Sequence, residues 1–143
     1  MSASDILENA FLNLLLRATA LANVADNAAS APLTNLHMAL ATADPGDAGT
    51  MSTSEITYTG YTRMNVARST GFGAASGGVA ALAADLDFPV GSGGSGTATF
   101  ANLGRTGGGA VDSFVSGAIS PSIVTGSGII PRLTATTTTV TIT

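Results

Sequence analysis

Leu36-His37-Met38-Ala39-Leu40-Ala41-Thr42-Ala43-Asp44-Pro45-Gly46 decides the fold of this chain. Leu36, Met38 and Leu40 alternate with His37, Ala39 and Ala41, the period of two that places one set of side chains on each face of a strand. Asp44-Pro45-Gly46-Asp47 then stops the strand. Proline pre-sets one backbone angle, glycine accepts a positive φ, and Asp44 is suited to hydrogen-bonding its own backbone in the turn.

Downstream, short alternating runs recur between glycine and serine clusters. Strands are expected over about 56–58, 61–69, 79–88, 97–103, 110–116, 118–124 and 132–143. Pro121 interrupts the second-last of these and marks an edge or a bulge. Gly91-Ser-Gly-Gly-Ser-Gly96 and Thr106-Gly-Gly-Gly109 are connections. Seven or eight strands separated by turn signals predict a mainly β chain, an antiparallel β-sandwich or jelly roll. No internal repeat of fixed period is present.

Upstream, the period changes to that of a helix. Ile6, Leu7, Ala10, Phe11, Leu14, Leu15, Ala18, Leu21, Ala22 and Ala25 draw an apolar stripe, which predicts a helix over about 5–29. Asn9, Asn13 and Arg17 follow at steps of four on the opposite face. Ser4 or Asp5 caps the start, with Glu8 three after Asp5 in the manner of a capping box. Pro32 bars continuation. Leu12 and Leu16 widen the stripe, so the helix is expected to touch two surfaces. The organisation is then a single domain over 1–143, with a helical segment at 1–31 and a β-sandwich at 32–143.

Composition bounds the function. The chain has 143 residues, enough for one core. Ala, Gly, Ser and Thr supply more than half of it, and Trp is absent. Only 10% of residues are charged, against about 25% in an ordinary soluble domain. All five basic residues are Arg. Lysine is the usual surface solubiliser and edge protector, and it is depleted in interfaces where arginine is enriched. A chain with arginine and no lysine therefore leans towards a surface covered by other protein. The net charge of −4 and the lack of a basic run speak against nucleic acid. The acidic start and the Asn9, Asn13, Arg17 and Asn23 interruptions speak against a secretory signal or a membrane span.

The residues for catalysis are few. His37 is the one histidine, and there is neither cysteine nor lysine, so activated nucleophiles are scarce. No Gly-x-Ser-x-Gly stretch opens a helix. Gly71-Phe-Gly73 and 91–96 lack the lysine and the helix of a phosphate loop. Asp44, Asp47, Asp85 and Asp87 could gather around a cation, but Asp44-x-x-Asp47 lacks the further oxygen ligands of a calcium loop. Stacking on sugars is poorly served without tryptophan. No enzyme, cofactor or metal is expected. Arg63 and Arg68, five apart on a strand, point to opposite faces, so one can pair with an acid such as Glu55 while the other reaches outward. Phe11, Leu12, Leu15, Leu16, Arg63 and Arg68 are the candidate interface residues.

The leucine-rich helix, the 36–46 strand and turn, and Ser54-Glu-Ile-Thr-Tyr-Thr-Gly-Tyr-Thr-Arg63 together resemble a family of small tailed-bacteriophage structural proteins. In that family a strand of the pattern Leu-x-Leu-x-Thr-x-Asp-Pro-Gly leads to Glu-x-x-Tyr-x-Gly-Tyr-x-Arg, and a small-residue β region follows. The resemblance is clear over the first 70 residues. It implies a virion component with no catalytic residues to carry over. The leading expectation is a capsid cement, or decoration, protein that binds the major capsid protein on the outer shell, self-associates as a dimer or trimer, and stabilises the head. The alternative is a tail-associated structural protein: a fibre, adaptor or minor tail protein. In either case it is assembled in the host cytoplasm, without nucleic-acid or membrane partners.

Overall fold

The computed structural model describes residues 4–21, 24, 32–106, 111–135 and 137–142. Among them lie one helix, α1 (Asp5–Arg17), and eight strands: β1 (Asn35–Ala41), β2 (Met64–Ala67), β3 (Val79–Ala81), β4 (Leu86–Asp87), β5 (Ser95–Gly104), β6 (Ser113–Gly126), β7 (Arg132–Leu133) and β8 (Thr139–Thr141). The chain is mainly β and antiparallel, with one N-terminal helix. A four-stranded sheet runs in the order β2-β1-β5-β6, and two ribbons pair β3 with β8 and β4 with β7.

Two compact units divide the chain. One comprises Met1–Asn35, Val66–Asp85 and Leu133–Thr143; the other comprises Leu36–Asn65 and Leu86–Arg132.

In the first unit, α1 begins where the sequence signals it. The Ser4 hydroxyl accepts from the Leu7 N–H, and Asp5 and Glu8 occupy the first turn, where the positive end of the helix dipole favours acids. It ends twelve residues earlier than the apolar period suggests. Ala18 adopts a left-handed conformation (φ 55°), and its N–H and that of Thr19 return to the Asn13 carbonyl. The Arg68 guanidinium takes the Leu15 carbonyl at 2.8 Å and the Leu14 carbonyl at 2.7 Å, the groups a continuing helix would use for itself. The rest of the expected helix, residues 22, 23 and 25–29, lies outside the described residues. Leu12, Leu16, Phe72, Ala80, Leu82, Leu133 and Val140 form this unit's buried core.

In the second unit, β1 is one of the two inner strands of the four-stranded sheet. It pairs with β5 antiparallel, Met38 opposite Leu103 and Leu40 opposite Ala101. It is buried on both faces from Met38 to Ala41, so Ala39 and Ala41 are covered as fully as Met38 and Leu40 on the other face. The Asp44 turn forms as read: the Gly46 N–H donates to Asp44 Oδ1 at 3.0 Å, with Gly46 at φ 70°. Of the two strands expected over 110–116 and 118–124, residues 113–116 and 118–124 join as β6, and residue 110 lies outside the described residues. The Pro121 irregularity is a bulge: Ala98 faces Ile123 while Phe100 faces Ala118, so residues 119–122 stand opposite Thr99 alone. Conversely, the single strand expected over 79–88 divides into β3 and β4. The Ala83 N–H bonds to the Gly71 carbonyl there, and Asp85 accepts from the Ala135 N–H. No strand forms at 56–58, where the chain instead makes isolated bridges through Glu55 and Thr59.

Candidate functional site

Two constellations gather the residues that the sequence singles out. The first is the Glu55-x-x-Tyr58-x-Gly60-Tyr61-x-Arg63 segment, in the second unit. The Glu55 carboxylate accepts from Arg63 Nε at 2.7 Å and from Arg63 Nη2 at 2.6 Å. Both side chains are less than one-fifth exposed. The Tyr61 hydroxyl donates to Glu55 at 2.9 Å and accepts from the Leu40 N–H at 3.1 Å. Arg63 also donates to Ser52 Oγ, and the Tyr58 hydroxyl to the Pro89 carbonyl. The Tyr58 and Tyr61 rings meet edge to face at 5.4 Å, and Tyr61 stacks on Phe88 at 6.1 Å, both favoured aromatic geometries. Gly60, at φ +98°, turns the segment between the two tyrosines, a conformation that side-chain-bearing residues rarely adopt.

The electrostatics follow the packing. Hydrogen bonding to Glu55 raises Arg63 above its ordinary range, and burial pushes the Tyr61 phenol up. The motif thus spends its polar tips on its own members and on nearby backbone. Its shallow outer depression is lined by Ile56, Thr57, Tyr58, Tyr61 and Thr62 together with the Glu55–Arg63 pair. Chemically it is a fastening that ties the 52–63 loop to β1 and to the start of the 88–91 segment.

The second constellation is α1 in the first unit. Asn9 Oδ1 accepts from the Gly78 N–H at 2.8 Å, Asn13 Oδ1 accepts from the Ala75 N–H at 3.1 Å, and Arg17 donates to the Phe72 carbonyl at 2.8 Å. The row read as lying opposite the apolar stripe is a docked face. Leu12 and Leu16 have no exposed surface; they are core side chains with nothing to offer a partner. Phe11 is 53% exposed, and Leu15 is half-buried. Arg68 is turned to the helix carbonyls and to the Leu33 carbonyl. Of the six candidate interface residues, five therefore belong to the helix and its C-terminal fastening, and Arg63 belongs to the clasp. Reading the residues missed the docking roles of Asn9, Asn13 and Arg17; their regular spacing of four was the available signal.

Among the described residues, no three His, Asp or Glu side chains cluster to hold a metal ion, and no helix is long and apolar enough to cross a membrane. Asp44, offered above as a possible cation ligand, accepts from the Ser116 hydroxyl besides holding its turn.

A small, sparsely charged β chain, a polar motif used as a fastening and an apolar helix row turned outward describe a building part. The family model of the podophage GP4 fiber I protein gp80 matches residues 2–141, and the chain belongs to that family. It is a structural protein of a phage virion. No curated protein matches it.

Proposed function

We propose that this chain is a structural component of a podophage tail fibre and acts by assembling with other virion proteins, without catalysis, cofactor or metal. The observation that carries this reading is the match to a fibre protein family over residues 2–141. The structure supports it in kind. Glu55, Tyr61 and Arg63, the group most like a reactive site, engage one another, whereas apolar side chains at Ile6, Leu7 and Phe11 face outward. The outer-shell cement role expected with the family resemblance has no comparable observation behind it.

Copy number decides between the two. A fibre part is present in a small multiple of the tail's symmetry, whereas a shell decoration is present in hundreds of copies. Quantitative mass spectrometry of purified virions, with antibody labelling in the electron microscope, should give few copies and tail-end labelling. Hundreds of copies with label over the head would overturn the fibre reading.

A further inference from the structure

We draw no further inference here: the strongest candidate, the uncharged outer edge of β6 (Ser113–Gly126) at the end of the four-stranded sheet, where Phe114 and Val124 stand exposed, carries nothing because nothing in the structure shows what covers it.

Discussion

The two fastenings in this molecule use opposite means. The clasp at 55–63 joins side chain to side chain: a carboxylate, a guanidinium and a phenol, mostly buried and mutually satisfied. The helix dock joins side chain to backbone: two carboxamides and two guanidinium groups engage N–H and carbonyl groups of 72–78 and of α1's own last turn. The difference has energetic consequences. Removing one member of a buried charged set strands the others in low dielectric. Removing one side chain from a row of backbone contacts leaves a backbone group that water or a neighbour can reach.

The largest effect should therefore come from the clasp. Glu55→Ala leaves Arg63 without its carboxylate and the Tyr61 hydroxyl without its acceptor, and should lower unfolding stability by about 3 kcal/mol. The urea midpoint measures this. Glu55→Gln, which keeps an acceptor oxygen for Tyr61 but no charge, should fall between the two. A loss under about 1 kcal/mol, the size of an exposed ion pair, would show that water replaces the carboxylate and would erase the contrast with the helix dock.

Legibility in the sequence divides along the same line. Part of the clasp could be read in advance because Glu55 and Arg63 lie within nine residues and carry opposite charge; the pairing of an arginine with Glu55 follows from residue type, whereas the place of Tyr61 between them was not read. The β1 strand and its Asp44 turn were equally local. The helix dock could not be read. Asn9, Asn13 and Arg17 look like a solvent row because their partners are backbone groups of 72–78, and a backbone N–H leaves no mark on the residue code. The early stop of α1 was hidden for the same reason. Leu21, Ala22 and Ala25 continue the apolar period, whereas the group that takes the Leu14 and Leu15 carbonyls, Arg68, lies more than fifty residues away. Alanine misled in both directions: at Ala39 and Ala41 it marks burial on a second face, and at Ala83 it sits in a turn between strands.

Arg68→Ala should have the middle effect. It removes a cation from the negative end of the helix dipole together with charge-assisted bonds to two end carbonyls, for about 1–2 kcal/mol. Amide hydrogen exchange should accelerate in the last turn of α1 before it does in β1 or β5. Uniform acceleration across both units would mean that the helix end is not a separate fastening, and a loss matching that of Glu55→Ala would put the two devices on one footing.

The smallest effect distinguishes the devices by acid. His37 lies on β1 beside the clasp, with Nδ1 buried and, among the described residues, without a hydrogen-bond partner. Its pKa is held below the ordinary 6.5, first by burial and then by the positive charge of Arg63. Because the folded state binds this proton less readily than the unfolded state, stability is intact above about pH 6.5 and declines as pH falls from there towards the lowered folded value. Asp87, exposed and paired with Arg132, is also shifted down, but from 3.8, so its losses begin well below the histidine window. Subtracting the stability of His37→Gln from that of the parent chain at each pH isolates the histidine. The difference should be level above pH 6.5 and slope below it, and the helix turn read by hydrogen exchange should not share the slope. Parallel stability curves for the two proteins across that window would show that His37 is solvated like any surface histidine and that Arg63 acts on Glu55 and Tyr61 alone.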